Sequence, residues 1–381
     1  MSEARRIYLD HGATSWPKAP GVTKAVARFL DEEAGNPGRG GHRLTVAASR
    51  VIEAAREDVS ALLGGDPERT LLGPSATFWL NTVLSSRLRP GDRVVTSAVE
   101  HNAVMRPLRW FERVRGVKVA VANGYDPDGL PTADGCAALV AEAPTALVVL
   151  SHASNVSGAV LPVAEIARAV APAPVVVDGA QTAGSLPVDL SELGAAAYVC
   201  SGHKGLLGPP GVGILLLAPA FEVEPVVRGG TGSRSESEEM PEHLPDRLEA
   251  GTANGPGIAG LGAACRWLAG PGVAAVAEHE GRLVRRLADG LRELPGVTLH
   301  GWRDDAPHTG ILSFTVDGAD VGELAGRLDA EHGVMLRAGL HCAPAAHRRL
   351  GTFPDGTLRA GVGPFSSDDD VDALLTAVAE F

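Results

Sequence analysis

The chain has 381 residues, 45% of them hydrophobic; that is enough to bury a large core and longer than one core usually serves, so two domains are expected. Its 46 acidic residues outnumber its 34 basic ones, for a formal net charge of −12 spread along the sequence, and this excludes the clustered basic face that a nucleic-acid partner needs. The opening MSEARRIYLD has no apolar signal core and no apolar run approaches the roughly 18–20 residues of a membrane span, so a cytoplasmic protein with no membrane contact is expected.

In chain order, segments of helical periodicity (45–63, 102–115, 163–170) alternate with short runs rich in Val, Leu and Ile. The runs at 93–98, 118–122, 146–152, 174–178, 198–201 and 211–217 read as strands buried on both faces, which predicts an α/β fold with a mostly parallel, doubly wound sheet. The polar stretch 231–245 (TGSRSESEEMPEHLP) is punctuated by glycine and proline and predicts a loop without regular structure. From about residue 256 the pattern changes to a long helix at 273–294, short strands at 297–300, 310–316 and 334–338, and a last helix from Ser367, which predicts a smaller C-terminal α+β domain. The expected boundaries are 1–18 for an N-terminal segment packing with the small domain, 19–255 for the large domain and 256–381 for the small one.

Ligands of open α/β sheets sit beyond the carboxyl ends of the strands, so titratable groups there are the first candidates. Asp178 ends the strand PVVVD, where a carboxylate can keep a pyridine nitrogen protonated; the ordinary alternative is an N-cap. Lys204 follows the strand ending at Cys200, in Ser201-Gly202-His203-Lys204, and a lysine so placed can form a Schiff base; the ordinary alternative is a solvated turn lysine. Gly73-Pro74-Ser75-Ala76-Thr77 precedes a helical run whose first N–H groups can cradle a phosphate, and His101 follows the strand at 93–98, where its ring can stack on an aromatic one. The four cysteines, at 136, 200, 265 and 342, have neither disulfide nor metal-ligand spacing, and no metal site is expected. Cys200 and Cys265 fall in apolar segments and read as packing, Cys136 as a residue of a surface helix, and Cys342 as a loop residue flanked by glycine, histidine and proline.

Taken together, the segments 8–15 (YLDHGATS), 100–102 (EHN), 152–158 (HASNVSG), 177–181 (VDGAQ), 201–204 (SGHK), 249–254 (EAGTAN) and 337–344 (RAGLHCAP) resemble, in order, those of the cysteine desulfurase branch of the class V aminotransferases. That resemblance implies the type I fold of enzymes dependent on pyridoxal 5'-phosphate (PLP), with Lys204 covalently carrying the cofactor and Asp178 on its pyridine nitrogen. It further implies Gln181 on the phenolic oxygen, His101 stacked on the ring and Asn155 above it near the substrate. Ala76, Thr77, Ser201 and His203 would hold the phosphate, and Thr252 would reach the phosphate of the neighbouring subunit of a homodimer. The implied reaction converts L-cysteine to L-alanine, leaving a persulfide on Cys342 for a sulfur-acceptor protein or small molecule. Arg359 would grip the substrate carboxylate and His11 would contact the substrate. Cations near Cys342, namely Arg337 or a protonated His341, would favour its thiolate.

Several positions depart from the family pattern: His11 stands where Asn is common, Phe78 where Glu is common, Gly361 where Ser is frequent, and Gly363-Pro364-Phe365 replaces a more polar run. A PLP aminotransferase, a C–S lyase or a selenocysteine lyase acting on a related amino acid is the alternative activity, with a non-catalytic sulfur-carrier platform as the alternative from another class.

Overall fold

The computed structural model describes residues 6–38, 41–122 and 130–381. Its centre is a seven-stranded sheet in the order Thr70–Gly73, Gly213–Leu217, Ala197–Ser201, Val175–Asp178, Leu147–Ser151, Arg93–Ser97, Lys118–Ala122. Only Gly213–Leu217 runs against the rest, so the sheet is mostly parallel as expected. The inner strands are apolar throughout because helices cover both faces; Leu147, Val148, Val149, Leu150, Val176 and Val177 are all inaccessible to solvent. The strand Thr70–Gly73 is not among those expected from the sequence, which shows only a loop beginning at Gly73; four residues ending in glycine, with Pro74 next, give too little periodicity to show.

Local sequence sets the helix boundaries around the site. The helix Ala76–Arg87 begins where the Ser75 side chain accepts from Phe78 N, and Asn102–Arg115 begins where His101 accepts from Ala103 N. The latter ends at Gly116 in the left-handed conformation. The last helix, Asp368–Val378, starts in a capping box formed by Ser367 and Asp370.

The C-terminal part carries a four-stranded antiparallel sheet, Arg337–Gly339, Thr357–Gly361, Ile311–Val316, Val297–His300, under the helices Val273–Arg292, Val321–His332 and Asp368–Val378. The single strand expected at 334–338 is two strands: Val334–Met335 pairs in parallel with Ile7–Tyr8, and Arg337–Gly339 pairs with Thr357–Gly361. The pairing is interrupted at Leu336, and the two halves serve different sheets. Residues 1–5 of the expected N-terminal segment lie outside the described residues; Ile7 and Leu9 pack with Leu283, Leu312 and Leu358 in the C-terminal core. The helix Gly255–Ala269 packs instead with the large sheet's core, where Ile258, Leu261, Ala264 and Leu268 join Ala55, Val59 and Ile214. Between Gly213–Leu217 and this helix, residues 231–245 form turns and bends only. Cys136 is fully buried, contrary to the expectation of a surface position, because it lies on the face of the helix Ala133–Glu142 turned toward the helix Val163–Val170 and the core.

Candidate active site

At the carboxyl ends of the parallel strands a cavity of about 270 Å³ opens, walled by both parts of the chain. From the large part come Ala76, Thr77, His101, Asn155, Asp178, Gln181, Ser201, His203 and Lys204, and from the C-terminal part Arg337, His341, Cys342 and Arg359. Of the residues that the sequence assigns to catalysis, cofactor or substrate, the structure brings all but His11 and Thr252 into one wall. His11 lies next door, in a cavity of about 20 Å³ that also touches Lys204 and Gln181. Thr252 lies apart, in a wide outer cleft with Phe78 and Glu249.

Asp178 ends its strand with a buried carboxylate whose Oδ1 accepts from Ala180 N at 3.0 Å. Burial raises its pKa, and among the described residues it has no ion-pair partner. No regular helix follows it, so it is not a helix cap. Beneath it, Thr182 Oγ1 joins His152 Nδ1 at 3.0 Å and Tyr198 Oη at 2.8 Å, a polar layer that fixes the strand ends. Lys204 is half-buried rather than free in solvent; desolvation brings its amine down to about 8, against the opposing pull of Asp178. A buried carboxylate with no ion pair among the described residues, facing a desolvated lysine amine, is a donor set that fits a protonated pyridine ring bound to that lysine.

The far end of the cavity suits a phosphate. Ala76 and Thr77 are the first residues of their helix, so their N–H groups have no intrahelical acceptor and lie at the positive end of the helix dipole. Ser201 and His203 line the same cavity. A side chain at Gly213 would bring a Cβ within 2.5 Å of Ser75 Cα, so this glycine is what lets the strand pass beneath the cradle.

His101 Nδ1 accepts from Ala103 N at 2.9 Å, which leaves the ring proton on Nε2; burial and the charges of Lys204 and Arg337 push its pKa down to about 4, so the ring is neutral. The preceding Glu100 is fully buried, and its carboxylate accepts from Ser97 Oγ and from Ser151 N and Oγ, which fixes the turn that presents His101. Gln181 Nε2 donates to Gly12 O at 3.1 Å, and Asn155 Nδ2 donates to His341 O at 2.6 Å.

Arg359 is 2% exposed. Its Nη1 donates to Asn155 O at 2.8 Å and its Nη2 to Asp10 Oδ1 at 3.0 Å, while its Nε has no partner. A buried guanidinium whose Nε–H has no partner is an unfinished anion site. Asn155 Oδ1 and His341 Nδ1 are likewise buried without partners. Nothing in the sequence singles out Asp10, although it lies inside the YLDHGATS segment; a carboxylate two residues after an apolar strand gives no hint of a partner 349 residues away.

Cys342 is the exposed cysteine, whereas Cys136, Cys200 and Cys265 are buried. His341 and Cys342 both have positive φ, +46° and +59°, and Ala343 N closes the turn onto Leu340 O at 2.8 Å. Such a turn is built for Asn-Gly, and a bulkier residue in that conformation costs on the order of 1–3 kcal/mol. The protonated His341 expected beside the thiol is excluded: burial and Arg359 push its pKa down to about 2. Arg337, opposite Arg359 on the neighbouring strand, lines the same cavity as Cys342.

The departures at positions 11 and 363 are one structural unit. A Cβ on Gly363 would lie 2.3 Å from His11 Nδ1, so glycine makes the room that the imidazole fills. At Gly361 an added Cβ would stand 3.0 Å from Gly12 N, so a serine there would press on the N-terminal segment.

Residues 7–374 match the family model Aminotransferase class-V. The chain belongs to this family of PLP-dependent enzymes, and its mostly parallel sheet with a lysine at a strand end is the type I architecture of the group. Among curated relatives, a probable cysteine desulfurase of Pyrococcus abyssi is 32% identical, covering 98% of this chain and 94% of the relative. The cysteine desulfurase CsdA of Escherichia coli is 33% identical over 98% of this chain and 93% of its own length. The solved apo structure of a cysteine desulfurase from Thermococcus onnurineus superposes with a TM-score of 0.92 at 31% identity, covering 98% of this chain and 94% of that one. No helix among the described residues is long and apolar enough to cross a membrane.

Proposed function

We propose that the chain is a PLP-dependent cysteine desulfurase that converts L-cysteine to L-alanine and holds the released sulfur as a persulfide on Cys342. The observation that carries this reading is the shared wall: the exposed thiol of Cys342, the desolvated amine of Lys204 and the free Nε–H of Arg359 line one cavity. Relatives named cysteine desulfurases at 32–33% identity over nearly the whole chain support it.

When bound, the cofactor supplies a positively charged ring that draws electrons from Cα and Cβ of the substrate. Lys204 would hold it covalently, Asp178 through the ring nitrogen, Gln181 at the phenolic oxygen, and Ala76, Thr77, Ser201 and His203 at the phosphate. Arg359 receives the substrate carboxylate on its unfilled Nε–H, and Asn155 orients the amino acid beside it. Lys204 Nζ takes the Cα proton, a task suited to an amine brought down to about 8. His101 presents Nε2–H from a neutral ring to the substrate. The Cys342 thiolate then forms an S–S bond with the substrate sulfur as the C–S bond breaks. The electron pair stays on carbon, which takes a proton to become the methyl group of alanine. In sum, L-cysteine and the Cys342 thiol give L-alanine and the Cys342 persulfide.

The position of Thr252 in the outer cleft, away from its own cavity, agrees with a contribution to a neighbouring subunit's phosphate site in a homodimer. A thiol that must stay free for each turnover suits a reducing compartment such as the cytoplasm, with a separate sulfur acceptor. We place the start of the C-terminal unit after the helix Gly255–Ala269, whose packing ties it to the large sheet. Mass spectrometry after exposure to L-cysteine tests the reaction: one added sulfur on Cys342 is expected, and Cys342→Ala is expected to form neither persulfide nor alanine. Alanine release that survives Cys342→Ala would assign the chain to the C–S lyases instead.

A further inference from the structure

Cys342 sits in a turn that its side chain and its neighbour's disfavour, and three clamps hold it there. Asn102 N donates to Cys342 O at 2.7 Å, and Asn155 Nδ2 donates to His341 O at 2.6 Å. The third clamp is a hydrogen-bond chain. Ser313 Oγ donates to Val156 O at 2.6 Å, so the hydroxyl of Thr357, 3.1 Å away, must donate to Ser313. With its one proton used, Thr357 Oγ1 can only accept from His341 Nε2, also at 3.1 Å. The direction of the chain therefore fixes the histidine as its Nε2–H tautomer, in agreement with the absence of a partner at Nδ1. The circuit closes on itself, because it ends at Val156, whose neighbour Asn155 grips the His341 carbonyl.

We infer that His341, through the chain Thr357–Ser313–Val156, is the positioning residue that holds the left-handed turn and keeps Cys342 at the cavity wall. This rests on the desulfurase reading for its consequence, not for its geometry. The discriminating substitution is His341→Asn. Asparagine favours the left-handed conformation but is too short to reach Thr357, so it relieves the backbone while cutting the relay. Thr357→Val removes the hydroxyl at nearly constant shape, Thr357→Ser restores it, and Ser313→Ala cuts the next link should the valine variant fail to fold.

The holoenzymes are compared in single-turnover persulfide formation, in steady-state kinetics, and in deuterium uptake of the segment 340–343 without cysteine. His341→Asn, Thr357→Val and Ser313→Ala are expected to slow persulfide formation at saturating cysteine by roughly ten- to a hundredfold, to leave KM within about twofold, and to speed uptake at the turn. Thr357→Ser is expected to match the parent in all three. His341→Asn at the parent's rate and uptake would overturn the inference, since backbone preference alone would then hold the turn; so would a folded Thr357→Val with unchanged uptake. If the parent enzyme forms no persulfide, the desulfurase reading fails, and the relay is judged on deuterium uptake alone.

Discussion

Arg359 Nη2 and Asp10 Oδ1 meet at 3.0 Å although 349 residues separate them in the chain. Asp10 is the counter-charge of a guanidinium that is otherwise out of water, and it leaves the Nε–H unfilled. Asp10→Asn keeps the shape and removes the charge, so a buried cation loses its compensation. A loss of about 2 kcal/mol is expected, less than for a fully buried pair because Asp10 is 23% exposed, and urea unfolding measures it. Arg359→Lys keeps the charge but loses the planar fork; KM for cysteine is expected to rise at least roughly tenfold in an alanine-release assay.

Lys204 is brought down to about 8, so at pH 7 about a tenth of the amine is neutral and able to react with an aldehyde. The rate at which the cofactor-free chain captures pyridoxal phosphate is therefore expected to climb from pH 7 and level off above pH 9. Stopped-flow absorbance of the lysine-bound cofactor follows it. A midpoint near 10.4, the ordinary lysine value, would contradict the burial argument. Lys204→Ala is expected to give no covalent capture at any pH.

Acid lability has a named source in His152, buried below the cavity with its pKa pushed down to about 4 by desolvation. The unfolded chain takes up this proton near 6.5 and the folded chain does not, so stability is present above 6.5 and drains away as pH falls toward 4. Its share of the loss over that window is about 3 kcal/mol. Urea titrations at successive pH values are expected to show that slope in the parent and a shallower one in His152→Gln.

His11 and Gly363 are expected to couple in a double-mutant cycle. Gly363→Ser alone drives a side chain into the imidazole and is expected to cost about 1–3 kcal/mol. His11→Asn opens the space, so the double variant is expected to recover most of that loss, and thermal unfolding of the four proteins gives the coupling directly. Additive effects would mean that the two positions do not share the space.

Much of the large sheet is legible because fully buried parallel strands are continuous apolar runs; the run 146–152 contains the strand Leu147–Ser151, every residue of which is buried. The wall residues from strand ends are legible for a similar reason, since Asp178, Ser201 and Lys204 sit where a periodic segment stops. Features that depend on pairing across distance escape. The strand Thr70–Gly73 exists through its register with Gly213–Leu217, and Arg337–Gly339 departs from Val334–Met335 only because each half has its own partner. The neutral state of His341 escapes for the same reason, because it is set by packing from strands that meet only in three dimensions. The placement of helix Gly255–Ala269 is a further case: its helical pattern resembles that of the C-terminal helices, while its apolar face answers to the helix Arg43–Leu63.

The stretch from Ile7 to Lys18 acts as a strap between the two halves. At one end it is zipped to Val334–Met335, and at the other Ser15 N and Lys18 Nζ hold the carbonyl of His203 at 2.9 and 3.0 Å. That carbonyl belongs to the peptide bond joining His203 to Lys204. Any rocking of one half against the other therefore pulls on the lysine's own backbone, so amine and thiol are geared to one another and trimming the chain past Arg6 would uncouple them.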